Sequence, residues 1–294
     1  MSEKSKGLKN VIPSTFDVVR IHRASELRLI SNRKKRDAIY KVLIINALRE
    51  ERQAALEAFD VKEEIPSIQE EYQFPYTSTL WNGIDIKFVL QPSMGPMSCC
   101  CSAMKAIKAF EPDLVVMTGV CAGRKEKEIT LGSVVVSEQT YDFFAGKYTE
   151  TGFLPRPEPI RVDQLILSSL KSYSNSIKNN VENAVNARMC LNDIQYHLNL
   201  HFAPLASSSA VISNPKIIQQ AAQGQDNLIA IDMETFALAA AATSYNIKWL
   251  VVKGVQDFAD GEKSETEKNY RKVSCLASAY ALREFLKVIA SNKE

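Results

Sequence analysis

Histidine is the scarcest of the common metal ligands in this chain, with only His22, His197 and His201 among 294 residues. None sits in an HExxH arrangement, and His197 and His201, although spaced i,i+4, have no third ligand nearby, so no metal site is expected. Cysteine offers no framework either. Cys99, Cys100 and Cys101 are consecutive, Cys121, Cys190 and Cys275 are scattered, and no CxxC pair occurs. That pattern excludes a disulfide scaffold and points to a reduced, cytoplasmic setting. Eleven glycines and eleven prolines are too few for a linker-rich or disordered chain. No apolar run approaches the ~18 residues of a membrane span, and the N-terminus lacks the apolar core of a signal peptide, so no membrane is expected. A net charge of +2 gives no reason to expect nucleic acid as a partner.

What is present, a hydrophobic content of 46%, is enough to bury one sizeable core. Charge is unevenly placed. Arg33, Lys34, Lys35 and Arg36 form the densest basic run, in a leader that also carries Lys4, Lys6, Lys9, Arg20, Arg23 and Arg28. Such a leader reads as a solvated arm or an oligomer-contact helix, with recruitment of a polyanion as the alternative. The expected organisation is a basic extension over residues 1–40 and one catalytic domain over 41–294.

Short β-rich runs alternate with longer helical patterns, the signature of an α/β fold, here a central mixed twisted sheet flanked by helices. Strands are expected over 41–46, 84–90, 113–118, 131–136, 205–212, 228–231 and 249–255. Helices are expected over 49–59, 97–110, 162–181, 215–223, 234–245 and 268–289. Trp81-Asn82-Gly83 reads as a turn between strands, and the proline-bearing stretch 150–160 as an extended loop.

Polar residues close several of these apolar runs. Asp232-Met233-Glu234 follows 228–231, and Gln256-Asp257 follows 249–255. Parallel sheets gather their chemistry at the carboxyl ends of strands, so carboxylates delivered there suggest acid/base or hydroxyl-binding work. Two further strand ends lead into Ala47-Leu48-Arg49-Glu50-Glu51-Arg52 and Thr118-Gly119-Val120-Cys121-Ala122-Gly123. Plainer readings stand beside these. Asp257 could cap the following loop, and Glu234 could be a first-turn acid favoured by the helix dipole. Glu51 could belong to a solvated charged face, and Met233 to the core. The cysteine run reads as small apolar packing at a helix start, although such a position can lower a thiol pKa.

Together these strand-end motifs resemble the nucleoside phosphorylase/nucleosidase superfamily, and within it the methylthioadenosine/S-adenosylhomocysteine nucleosidase branch, over about 41–286. The resemblance implies N-glycosidic cleavage of a purine, adenine being the expected base, by a homo-oligomer without a cofactor. Asp257 would hydrogen-bond or protonate N7 of the base; an aspartate free in water titrates near ~3.9, so this requires desolvation. The sugar would pass through an oxocarbenium-like state. Glu234 would accept hydrogen bonds from the ribose 2′- and 3′-hydroxyls, with Met233 under the ring, and Glu51 would activate water. Val211 and Ile212, expected on the strand through Leu205, would meet the base edge. Gly119 and Gly123 would let the backbone approach the sugar.

The chain departs from the family pattern at three positions. The phosphate-binding serine of phosphorylase members is Val120 here, which favours water as the nucleophile. Gln256 replaces the serine before the aspartate. Val211 stands where an aromatic covers the base, so stacking is expected from Phe143, Phe144 or Phe258. Arg49, Arg124 and Lys125 lie just beyond two strand ends and would suit a 5′-phosphate or polyphosphate. In this the chain is similar to phosphorylase-like domains of bacterial signalling and antiviral proteins that degrade adenine nucleotides. The expected function is hydrolysis of the base–ribose bond of purine nucleosides or nucleotides, ATP or AMP included. Methylthioadenosine hydrolysis, phosphorolysis and a non-catalytic nucleotide-binding scaffold are its rivals.

Overall fold

The most apolar runs of the chain form the middle of one sheet in a computed structural model, which describes residues 40–62, 74–189, 195–222, 225–260 and 265–291. The basic run at 33–36, and all of the expected extension except Tyr40, lies outside the described residues. The chain passes through β1 (Tyr40–Asn46), α1 (Arg49–Ala58), β2 (Tyr76–Trp81), β3 (Ile84–Leu90), α2 (Pro96–Phe110) and β4 (Leu114–Gly123). Next come β5 (Val134–Asp142), β6 (Gly146–Thr149), β7 (Gly152–Pro155), β8 (Ile160–Arg161), α3 (Gln164–Arg188) and β9 (Leu200–Ser207). It ends with α4 (Pro215–Ala221), β10 (Ala230–Asp232), α5 (Thr235–Ser244), β11 (Lys248–Asp257) and α6 (Glu265–Ser291).

The sheet order is β10-β9-β5-β11-β4-β1-β3-β2, with β8 paired to β5. Its centre, β1, β4 and β11, is parallel, and β2 and β5 make it mixed. Central parallel strands are covered on both faces, which explains why Val42–Ile45, Leu114–Met117 and Trp249–Val252 are unbroken apolar runs. Helices α2 and α5 pack together on one face, while α1, α3 and α6 pack on the other. The fold class is the expected one, a mixed α/β sheet between helices.

Helix α6 is the closest partner of the sheet. Ala277, Ala279, Ala281 and Leu282 have no exposure, and the hydroxyl of Ser274 donates to Val255 O at 2.8 Å. Small residues let the helix ride low on β11. A Cβ on Gly254 would lie 2.6 Å from the Ser274 carbonyl carbon, so glycine is the residue that this approach admits.

Several boundaries differ from expectation. β4 continues five residues past Thr118, because its second half finds partners in both β11 and β10. β5 begins at Val134, since Leu131 and Gly132 (φ +80°) form a turn. β9 stops at Ser207, so Val211 and Ile212 lie in the loop beyond it and not on the strand. There Ser208 Oγ donates to Ala210 O (2.9 Å) and accepts from Ala210 N (3.0 Å), replacing ladder bonds with a local turn. The stretch 150–160 contains no helix, but it supplies one arm of the β6–β7 hairpin and then β8. α3 runs on to Arg188 because Val181 and Val185 extend its buried stripe.

Gly254→Ala is expected to cost about 1–3 kcal/mol or more through overpacking against the α6 backbone. Urea unfolding at neutral pH measures this, and an unchanged midpoint would contradict the close approach.

Candidate active site

A split in the sheet creates the cavity. β1 pairs with β4 only as far as Ile45 opposite Met117. At the divergence the Asn46 amide donates to Thr118 O at 2.9 Å and Thr118 Oγ1 at 3.0 Å. β4 then swings away to pair antiparallel with β10, Ala230 opposite Gly123. The gap is a cavity of ≈ 240 Å³ that Glu51, Val120, Met233, Glu234 and Asp257 all line.

Glu51 occupies the third position of α1 and is 2% exposed. Its Oε2 accepts from Ala47 N and Leu48 N, both at 2.9 Å, and its Oε1 from Val120 N at 2.9 Å. Helical periodicity sorts the charged run. Arg49 and Glu50 are exposed, whereas Glu51 faces the cavity, so the solvated-face reading does not describe it. Gly119 is required for a different reason from the one expected: a Cβ there would run into the Glu51 carboxylate.

Glu234 caps α5 and is 5% exposed, with Oε1 accepting from Gly95 N at 2.7 Å. Burial pushes its carboxyl from 4.5 up to about 7; nearby Asp232 and Glu51 push the same way, while Lys253 and the Gly95 N–H oppose them. Asp257 is brought to the cavity by a β-bulge, the register of β11 on β4 slipping between Val255 and Asp257. Its Oδ1 accepts from Ala259 N at 2.9 Å and its Oδ2 from Gln256 Nε2 at 3.0 Å.

Beneath these groups lies a residue that sequence reasoning missed. Lys253 is fully buried in β11, 3.2 Å from Asp232 Oδ2. Burial opposes its charge, but Asp232, Glu51 and Glu234 outweigh burial and hold its pKa above the ordinary lysine value. Asp232 is itself bound by Ser207 Oγ (2.8 Å) and Thr235 Oγ1 (2.7 Å). A lysine inside the apolar run 249–255 was the available signal, since a buried ammonium needs carboxylate partners. Arg271, on α6, also lines the cavity, and nothing in its local sequence marks it.

Other expected residues are placed less centrally. Met233, Val211 and Ile212 line the cavity, Val211 being 63% exposed at its mouth. Phe258 packs toward Gly123 instead, with the Lys125 ammonium 5.3 Å from its ring centre, and Lys125 pairs with Asp260. Phe143 stacks on Phe144 in a separate cluster with Ala206 and Ile218. Arg49 points to solvent. Arg124 is spent on the carbonyls of Asp226 and Leu228, 3.4 Å each, and on Glu126. Among the described residues, no aromatic ring lines the cavity, and none of the three expected cations does so. Of the cysteine run, Cys99 is buried, which raises its thiol pKa well above the ordinary value, the reverse of an activated thiol.

A family model described as the phosphorylase superfamily matches residues 41–287. An uncharacterised protein of Sinorhizobium fredii is 32% identical over 68% of this chain and 50% of its own length. The ATP nucleosidase Cap17 of Escherichia coli is 24% identical over 66% of this chain and 40% of its own. The chain thus spans half or less of the length of these curated relatives. The structure of a Helicobacter pylori 5′-methylthioadenosine/S-adenosylhomocysteine nucleosidase superposes with a TM-score of 0.68 at 17% identity, over 85% of this chain and 99% of that one.

Two outcomes follow from the buried charges. Lys253→Met is expected to lose about 3–5 kcal/mol of stability at neutral pH, because it strands carboxylates in the interior; a small loss in urea unfolding would deny the cluster its role. The carboxyl of Glu234 is raised on folding, so its contribution is complete below 4.5 and is lost as pH rises through about 7. Glu234→Gln has no such proton to lose and is expected to gain on the parent between about pH 5 and about pH 8. Parallel unfolding midpoints at both ends of that window check the sign.

Proposed function

The chain belongs to the phosphorylase superfamily, and from that premise we propose that its cavity hydrolyses the N-glycosidic bond of purine nucleosides or nucleotides. One observation carries the reading: Glu51, Glu234 and Asp257, from three separate elements, line a single cavity of ≈ 240 Å³. The base lies against Gln256 and Asp257, with Ile212 and Val211 along its edge. The ribose lies over Met233, its hydroxyls donating to Glu234. Glu51, pinned by three backbone N–H groups, keeps a lone pair for a water proton. Water oxygen bonds to C1′, the C1′–N9 bond breaks with its electron pair passing to the base, and Asp257 supplies a proton or hydrogen bond at N7.

Water is favoured over phosphate on electrostatic grounds. Among the described residues, Glu51, Asp232, Glu234 and Asp257 line the cavity with Arg271 as the one cation, and Val120 offers no hydroxyl to hold a phosphate. An attacking phosphate dianion would have to enter beside the Glu51 carboxylate and be repelled by it, whereas water can give that carboxylate a proton. The names of the relatives agree in kind, one being an ATP nucleosidase and another a methylthioadenosine/S-adenosylhomocysteine nucleosidase. From the former we take ATP or AMP, and a role in defence or signalling, as the specific form of the proposal. Met94, Met97 and Val211 are 53%, 76% and 63% exposed, and a second copy of the chain covering them fits the proposed homo-oligomer. No described helix is long and apolar enough to cross a membrane.

Release of free adenine from adenosine, AMP, ATP and methylthioadenosine tests the reading. Glu51→Gln and Asp257→Asn are each expected to slow release by about 10²–10⁴-fold. Release only when phosphate is present would replace hydrolysis with phosphorolysis. No release from any of the four by the parent would favour a binding scaffold.

A further inference from the structure

We propose that Arg271 reads a phosphate on the 5′ carbon of the sugar, making purine 5′-nucleotides the preferred substrates; the proposal rests on the nucleosidase reading above. Among the described residues, Arg271 is the only cationic side chain that lines the catalytic cavity. It also lines a second cavity of ≈ 450 Å³ between α1 and α6, so it stands where the two spaces meet. The opposite walls of the first cavity are already assigned. Asp257 and Gln256 face the base, and Glu234 faces the 2′ and 3′ hydroxyls. The substituent that remains is the one on C5′, and among the described charged lining side chains Arg271 is the one that neither the base, the hydroxyls, the water nor Lys253 engages.

The state of the guanidinium supports an anionic ligand. Its Nε is buried with no hydrogen-bond partner, and Arg271 forms no ion pair among the described residues. Buried N–H donors are nearly always paired, so an unpartnered donor at a cavity wall marks a place for an acceptor that arrives with the ligand. Other half-buried or buried arginines are already committed: Arg52 to Thr77, Arg124 to Asp226 and Leu228, and Arg188 to Glu57. The planar fork of a guanidinium matches two phosphate oxygens, which a neutral 5′-thioether does not offer. Beyond Arg271, Lys272 lines the second cavity, and the Glu57 carboxylate there is held at 2.7 Å by Arg188. Glu50 is the other carboxylate among the described residues of that wall, so Arg271 and Lys272 face two acids there, one of them already paired.

Calorimetric titration of AMP and adenosine tests this in the Asp257→Asn background, where release is slowed about 10²–10⁴-fold. AMP is expected to bind about 10-fold or more tightly than adenosine, an advantage that shrinks as salt is added. Adding Arg271→Gln should erase that ratio, and Arg271→Lys should keep part of it. Equal affinities without the Arg271 substitution, or an equal loss for both ligands with Arg271→Gln, would overturn the assignment. Should Arg271→Gln fail to fold, the salt dependence and Arg271→Lys still decide it. The two readings fail separately. Adenine release without an AMP advantage removes Arg271 alone, whereas an AMP advantage lost in Arg271→Gln without any release removes the catalytic reading alone.

Discussion

One buried ammonium group constrains the rest of the site. Lys253 lies in the middle of the sheet with no exposure, where an isolated charge would be prohibitively costly. It is tolerable because Asp232 sits 3.2 Å away and Glu51 and Glu234 add to the same field. The compensation runs in both directions. Three acids share one base, so the cluster carries an excess of negative charge in a desolvated place. Glu234, whose carboxylate takes one donor among the described residues where Glu51 takes three, is the one pushed up to about 7. The charge state of the cavity floor is therefore set a layer below anything a substrate would touch.

The sheet delivers these groups to one place by failing to stay regular. β1 and β4 part company after Met117, and the Asn46 side chain bridges the widening gap to Thr118. The N-terminal turn of α1 drops into that gap, and Glu51 fastens it to β4 through the Val120 N–H. The absence of a side chain at Gly119 makes the fastening possible. A bulge in β11 turns Asp257 toward the same space, and the short strand β10, held by β9 and β4 together, sets the start of α5 and with it Glu234. Regular strands would have spread these three acids along a sheet edge.

Periodicity and turn chemistry made most of the fold legible in the sequence. The buried runs 41–46 and 249–255 and the helices 49–59 and 97–110 were placed nearly to the residue, because continuous apolar runs and helical periodicity are strong local signals. Where pairing partners lay far away in the chain, local signals failed. Nothing near Thr118 reveals that β10, more than a hundred residues later, will extend β4. Nothing near Leu205 reveals that Ser208 will end β9 with its own hydroxyl. The acids at 51, 234 and 257 were visible because strand ends concentrate chemistry. The cations were placed elsewhere for the complementary reason: proximity in sequence to a strand end put Arg49, Arg124 and Lys125 forward, while tertiary packing brings Arg271, inside a helix with no motif, to the cavity wall.

Gln256 shows how a departure from a family pattern can be absorbed. A hydroxyl before the aspartate could donate to it and still rotate to accept. The Gln256 amide reaches Asp257 Oδ2 with its nitrogen at 3.0 Å, while Ala259 N–H holds Oδ1. Both carboxylate oxygens are thus acceptors. On the proposed reading, a proton destined for N7 resides on Oδ2, the oxygen whose partner is a side chain and can turn. An amide reversed about its terminal bond offers Oε1 to that proton, so the same residue can follow Asp257 through both of its protonation states. The backbone N–H of Ala259 has no such freedom. On that reading Oδ1, held by the backbone, is the anchor and Oδ2 the oxygen that meets the base.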